Sequence, residues 1–462
     1  MNGMCYQGNR EYSSFRDPSS VVFEQDGVVY RRIYPVYVPH YEHFMRSGLY
    51  HALLDDGLIA SHEQIEERPL ACGGKEILLC PKQIPFISYP YEWCFEQYRD
   101  AALVTLNAQR KALQFGMTLK DASAYNVQFY NGRAVLIDTP SFETYSEGPW
   151  AAYGQFCRHF FAPLFLMAHL DVRAGKMMQS YIDGIPLDLA DTLLRGKGGF
   201  SAWQHIRLHA GAVRRFGGAG TGTNHVKKIT LKKEVLAAII DSLIRSIRKL
   251  KQKDVRTEWG DYYSDTNYND TSAQQKEMLT GAFLDAAGPI KTAWDFGAND
   301  GRYSRLALER GAYSVAFDID PVAVCRNYLT AKEKGESLLP LLLDLTAPSP
   351  AIGFANRERK TIAQRRKPDI TLMLALIHHL AIANNLSFAM IAEWLASFTP
   401  YLIIEFVPKE DSQVRRLLKT RTDIFPDYTQ TCFERAFGEY FEVMEKQRIE
   451  KSERIMYLFR AK

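Results

Sequence analysis

The 462-residue sequence predicts an α/β protein: a doubly wound, mostly parallel sheet in the C-terminal half and a separate α+β domain before it. Two observations predict the first part. From Lys291 onward apolar strand-like runs alternate with helical stretches, and the chain ends in two strand candidates joined by a short polar stretch. A third observation predicts the second part: hairpin signals at Asp26-Gly27 and Asn131-Gly132 alternate with helical spacing over the first 215 residues.

The elements follow in order. A hairpin spans Val21–Ile33, and helical stretches cover Tyr41–Leu54 and Phe95–Phe115. A second hairpin runs from Val127 to Ile137, and the rest to about Arg215 reads as helical. The Gly/Thr-rich run 216–224 reads as a joint. Leu231, Val235, Leu236, Ile239, Ile240, Leu243, Ile244 and Ile247 then recur at helical spacing, and a second helix covers Ala273–Ala287. The strands of the sheet are Thr292–Phe296, Ser314–Phe317, Leu338–Leu343, Asp369–Leu374 and Tyr401–Phe406, closed by the hairpin Tyr440–Glu445 and Arg454–Phe459. The division expected is 1–222, a connector and covering segment 223–290, and 291–462.

Composition excludes several classes. The chain is 46% hydrophobic and 24% charged, with a net charge of only +4, so it can bury real cores and shows no strong pull toward nucleic acid or anionic membrane. Seven scattered cysteines without a C-x-x-C pair predict reduced thiols, no metal site and a cytoplasmic setting. No apolar run approaches the ~20 residues needed to span a bilayer.

The most informative segment is Trp294-Asp295-Phe296-Gly297-Ala298-Asn299-Asp300-Gly301. A strand turns sharply into a helix there, and Gly297, Asn299 and Gly301 tolerate the positive φ that such a turn demands. About twenty residues on, the second strand ends in Phe317-Asp318-Ile319-Asp320-Pro321, where a carboxylate can accept hydrogen bonds from ribose hydroxyls. The third strand ends at Asp344, and the fourth runs into His378-His379, with Glu405 on the fifth.

The spelling D-x-G-x-N-x-G with its FDIDP strand end resembles class I S-adenosylmethionine-dependent methyltransferases over roughly 257–462. The resemblance implies a Rossmann-like domain with S-adenosylmethionine as cofactor. By position, Asp295 lies near the methionine ammonium, Gly297, Asn299 and Gly301 line its backbone, Asp318 holds the ribose with Asp320 as competitor, and Asp344 meets the adenine. His378, His379 or Glu405 is the candidate base on an acceptor oxygen or nitrogen, and the sequence does not choose among them. The aromatic approach Trp259, Tyr262, Tyr263, Tyr268 with Lys276 suits a sulfonium.

In the first half, Asp121, Asn126 and, beyond the Asn-Gly hairpin, Asp138 resemble the catalytic loop and metal-binding Asp of protein kinases and aminoglycoside-type phosphotransferases. That resemblance implies ATP and Mg²⁺ if the domain is active. The departures favour a degenerate kinase-like module that positions a substrate or partner. Asp17-Pro18-Ser19-Ser20 stands where a glycine loop belongs, Arg31 or Arg32 where a strand lysine belongs, and Lys120 replaces an arginine. Together the two halves resemble bacterial nodulation-protein-like methyltransferases, which implies a modification enzyme of bacterial surface or secreted molecules and fixes no substrate; the acceptor expected is a small molecule or saccharide. The basic run 357–367 reads as a solvated insertion or a phosphate- or RNA-binding loop, with nucleic acid the less favoured partner.

Overall fold

A computed structural model describes residues 9–71, 73–196, 200–216, 231–252, 270–419 and 422–462. The chain divides into two compact units, Met1–Asp254 with Ala351–Lys360, and Val255–Pro350 with Thr361–Lys462.

The first unit opens with strands β1 (Asn9–Arg10), β2 (Ser20–Gln25), β3 (Val28–Ile33), β4 (His62–Pro69) and β5 (Lys75–Pro81). They form one antiparallel sheet in the order β1-β2-β3-β5-β4. The stretch expected as one helix over 41–54 is two, Val38–Arg46 and Leu49–Asp55, because Gly48 adopts φ 84° and breaks the ladder. The long helix Phe95–Gln114 starts with the Gln97 side chain accepting from the Cys94 N–H at 3.0 Å and buries its apolar face. After it come the short pair β6 (Met117–Leu119) and β9 (Phe142–Thr144), which brackets the hairpin β7 (Val127–Tyr130) and β8 (Arg133–Leu136). Helix Lys233–Lys249, placed in a connector by the sequence, packs on Phe95–Gln114 within this unit.

The second unit carries β10 (Thr292–Phe296), β11 (Tyr313–Asp318), β12 (Leu338–Leu342), β13 (Ile370–Met373), β14 (Tyr401–Phe406), β15 (Phe441–Arg448) and β16 (Ile455–Ala461). The order is β12-β11-β10-β13-β14-β16-β15. The first five strands run parallel, and β16 inserts antiparallel between β14 and β15. This is the Rossmann-like arrangement with a terminal antiparallel hairpin. Strands β10, β12 and β13 are buried along their whole length, which is why they read as continuous apolar runs rather than alternating ones. Edge strand β15 is exposed beyond Phe441 and carries a register shift at Val443/Glu445. The strand order reverses between β10 and β13, and the carboxyl ends of strands at such a switch point are where open α/β sheets bind ligands. Among the described residues, no helix is long and apolar enough to cross a membrane.

Candidate active site

The glycine turn is pinned to the end of β11 by backbone bonds. The N–H groups of Gly297 and Ala298 both donate to the Phe317 carbonyl, at 2.9 and 3.0 Å. Gly297, Asn299 and Gly301 have φ of 74°, 48° and 80°. A Cβ on Gly301 would stand 2.5 Å from Asn327 Nδ2, and one on Gly297 3.3 Å from Leu376 Cδ2. The positive φ therefore favours glycine at 301, and a Cβ there would also have to displace the side-chain ends of Asn327 and Arg305.

Asp318 ties three elements together. Its Oδ2 accepts from the Asn299 N–H and its Oδ1 from the Asp320 N–H, each at 2.8 Å. Its carbonyl accepts from the Leu343 N–H at 2.8 Å, which fixes the start of the loop bearing Asp344. Burial pushes the Asp318 carboxyl up to about 6, against the pull of the Asp320 and Asn299 amides. Asp320, its competitor in the sequence, caps the helix Pro321–Lys334 by accepting from Val322 and Ala323 at 2.8 and 3.1 Å. Asp344 is half-buried and accepts from the Thr346 amide and hydroxyl at 2.9 and 2.6 Å.

Asp295 lies buried at the end of β10, where its Oδ2 accepts the Ser304 hydroxyl at 2.6 Å. Burial pushes this carboxyl up to about 7, and Lys276 draws it down only in part.

At the end of β13 the chain takes a left-handed residue, Ala375 (φ 53°), and delivers His378 and His379 with ring centroids 4.2 Å apart. His378 is 2% exposed, and its Nδ1 has no hydrogen-bond partner among the described residues. Burial, then His379, Arg454 and Lys276, hold its pKa well below the usual histidine range; burial and Arg454 lower that of His379 to about 4. Both rings are neutral at pH 7. Glu405 differs: its Oε2 lies 2.6 Å from Lys276 Nζ and its Oε1 3.3 Å from Arg454, which also holds Asp411 at 2.7 Å. This carboxylate is committed to two buried cations. Lys276 also sits 4.9 Å over the Tyr303 ring.

A second polar cluster lies in the first unit. Arg31 Nη1 meets Asp138 Oδ1 at 2.6 Å and donates to the Ser20 hydroxyl at 2.9 Å. Lys120 donates to the Ser19 hydroxyl at 2.8 Å. Ser141 donates to Asp138 and accepts from Asn126 Nδ2 at 3.2 Å. Asp121 accepts from the Ser123 amide and from Gln155 at 3.0 and 2.7 Å; burial and then Asp138 raise its pKa, while Asn126 lowers it. So the DPSS loop, Arg31, Lys120 and the Asp121/Asn126/Asp138 set, scattered over 120 positions of sequence, converge. Arg32 turns away, over the Phe23 ring at 5.4 Å.

In the second unit the fold brings Asp295, Gly297, Asn299, Gly301, Asp318, Asp320 and Asp344 to one set of neighbouring strand ends, with His378 and His379 beyond the end of β13 and Glu405 on β14. Trp259, Tyr262, Tyr263 and Tyr268 lie outside the described residues, as does most of the 216–224 joint. Sequence reading missed Asn327, Ser304 and Arg454. A buried asparagine on a helix and an arginine opening a strand carry no local signature.

No family model matches the chain. It is 34% identical to nodulation protein NoeA of Rhizobium meliloti (strain 1021), over 97% of this chain and 96% of that protein. Among solved structures, N-methyltransferase NodS from Bradyrhizobium japonicum WM9 is similar at 11% identity and TM-score 0.30, covering 42% of this chain and 98% of that one. Magnesium protoporphyrin IX methyltransferase (ChlM) from Synechocystis PCC 6803 is similar at 21% and 0.32, covering 44% and 93%. Aligned over nearly all of its length with that rhizobial relative, the chain belongs to the family of nodulation protein NoeA.

Proposed function

We propose that this chain is an S-adenosylmethionine-dependent methyltransferase whose second unit holds the cofactor and methylates an oxygen or nitrogen of a small-molecule or saccharide acceptor. One observation carries the reading: the positive-φ glycine turn and Asp318 share backbone bonds at the strand-order reversal, with Asp295 and Asp344 on the flanking strand ends. The residues fit such a nucleoside. Gly297 and Gly301 give its methionine part room at the turn, Asp295 takes the ammonium, Asp318 the ribose hydroxyls and Asp344 the adenine side. When bound, the cofactor supplies an activated methyl on a sulfonium. The chain's own residues align the acceptor and exclude water. His378 and His379, neutral on the neighbouring strand end, can take the acceptor's proton.

Thermal-shift measurements with S-adenosylhomocysteine test the cofactor, since a ligand of the folded state raises its stability. Incubation with methyl-labelled cofactor and a cell extract, followed by mass identification of the labelled product, finds the acceptor. No stabilisation and no labelled product sinks the reading.

The first unit has a second reading, phosphate handling, which the pairing of Arg31 with Asp138 and Ser20 and of Lys120 with Ser19 favours. Arg31 already neutralises Asp138, so a degenerate module fits better than phosphoryl transfer from ATP·Mg²⁺. Stabilisation by ATP·Mg²⁺ reverses that preference. RNA as acceptor is the weaker alternative: Arg357 and Lys360 of the basic run already engage Tyr12 and Glu11. A steep salt dependence of RNA binding is its signature.

A further inference from the structure

Residues Ala351–Lys360 belong to the first unit, although in sequence they separate β12 from β13 of the second. They close on themselves, for Ile352 and Arg359 exchange backbone hydrogen bonds at 3.2 and 3.1 Å. Most of the loop's charged side chains are matched. Arg357 donates to the Tyr12 hydroxyl, Lys360 pairs with Glu11, and the buried Glu358 carboxylate accepts from Arg16 at 3.1 Å. Arg359 is the exception. Its guanidinium lies 4.0 Å over the Tyr125 ring and meets no carboxylate among the described residues. Its side chain donates to the Glu358 carbonyl at 3.3 Å, and its buried Nε has no partner among those residues.

The groups beside it are donors as well. The Tyr125 hydroxyl is buried and closes no hydrogen bond among the described residues. Burial raises its pKa, and Arg359 lies near enough to pull part of that rise back, so the hydroxyl stays protonated and can donate. His159 stands edge-on to the same ring, with centroids 6.3 Å apart. Its Nδ1 accepts the Ala124 N–H at 3.3 Å, which leaves the ring proton on Nε2. Burial, then Arg158 and Arg359, lowers its pKa to about 3, so the ring is neutral. The acid that bears on Tyr125, Glu92, is turned to the Tyr89 N–H at 2.8 Å.

A half-buried cation calls for a counter-charge, and a buried hydroxyl calls for an acceptor. One anion answers both. We propose that Arg359 and the Tyr125 hydroxyl, flanked by His159, form an oxyanion site on the first unit that takes a phosphate group, free or carried as a phosphomonoester. The planar guanidinium fork matches phosphate oxygens, and a tetrahedral oxyanion can accept from the hydroxyl at the same time. Arg359 is partly exposed, so the group arrives from solvent. The site uses none of Arg31, Lys120, Ser19 and Ser20, and it rests neither on that cluster nor on the cofactor reading of the second unit.

Calorimetric titration of the full chain with inorganic phosphate and with glycerophosphate, at an ionic strength held constant with sodium chloride, tests it. Saturable binding of either compound is expected. Arg359→Gln and Tyr125→Phe each weaken it about tenfold or more, as for hydrogen bonds to a charged partner. Tyr125→Phe also separates the site from misfolding. Without phosphate it is at least as stable in urea as the parent, because it removes a buried hydroxyl that lacks a partner, and saturating phosphate hands the advantage to the parent. No heat with either compound, or parent affinity in Arg359→Gln, overturns the proposal. So does a loss of binding in Lys120→Met alone, which puts the anion on the Arg31 and Lys120 cluster instead.

Discussion

Lys276 Nζ stands 2.6 Å from Glu405 Oε2, and both side chains are almost wholly buried, at 3% and 0% exposure. Arg454 flanks the same carboxylate at 3.3 Å, so the fifth strand ends in an anion held by two cations. Removing one partner of a buried pair strands a charge, at a cost of about 3–5 kcal/mol. Glu405→Gln is therefore expected to lose stability on that scale in urea unfolding. If Glu405 were instead the catalytic base, the substitution would abolish turnover and leave the unfolding midpoint close to that of the parent.

The raised carboxyls give a signed pH dependence. Asp295 titrates near 7 in the fold because burial disfavours its charge, whereas in the unfolded chain it titrates at about 3.9. Its neutral form suits the fold, so this contribution to stability is full below about 4 and lost as pH rises to about 7. Without cofactor, Asp295→Asn is expected to be more stable than the parent at pH 8, with the gap closing toward pH 4. An ammonium ligand needs the carboxylate, so affinity for S-adenosylhomocysteine rises between pH 5.5 and 7.5 in the parent and stays flatter in Asp295→Asn. Titrations at several pH values read both slopes.

The paired histidines separate by environment. His378 is the more deeply buried and its Nδ1 has no hydrogen-bond partner among the described residues; burial, His379, Arg454 and Lys276 all weaken it as a base, so the open Nδ1 and not its basicity marks it. His378→Ala is expected to lower kcat by about 10²-fold or more, the usual weight of general base catalysis, with little change in cofactor affinity. His379→Ala has the smaller effect. The reverse ranking assigns the proton to His379.

Gly301 is favoured by its positive φ and by the crowding of the buried Asn327 amide. Alanine there places its Cβ against the Asn327 amide and strains a φ of 80°. Gly301→Ala is expected to cost about 1–3 kcal/mol of stability and most cofactor affinity. Full retention of both contradicts the tight-turn geometry.

Much of the second unit was legible because its buried parallel strands are unbroken apolar runs punctuated by glycine and acid. Thr292–Phe296 and Tyr401–Phe406 have the ends that the sequence indicated. The hairpin strands run a residue or more later than expected, at Phe441–Arg448 and Ile455–Ala461, since polar edge residues give no sharp boundary. In the first unit, β4 escaped notice. His-Glu-Gln-Ile-Glu-Glu-Arg-Pro lies on a sheet edge with both faces largely exposed, so no alternation marks it. Gly48 falls inside the stretch expected as one helix over Tyr41–Leu54 and breaks it in two. The glycine turn and its acids were readable because spacing along one chain segment records them. The buried links of Glu405 to Lys276 and Arg454 were not, because they join residues 129 and 49 positions apart.

The sharpest single measurement is calorimetric titration of the full chain and of Asp318→Ala with S-adenosylhomocysteine at pH 7.5. The parent should bind one equivalent, and the variant should lose at least about tenfold in affinity, the weight of one charge-assisted hydrogen bond. A parent that gives no heat, or a variant indistinguishable from it, would contradict a nucleoside grip centred on Asp318.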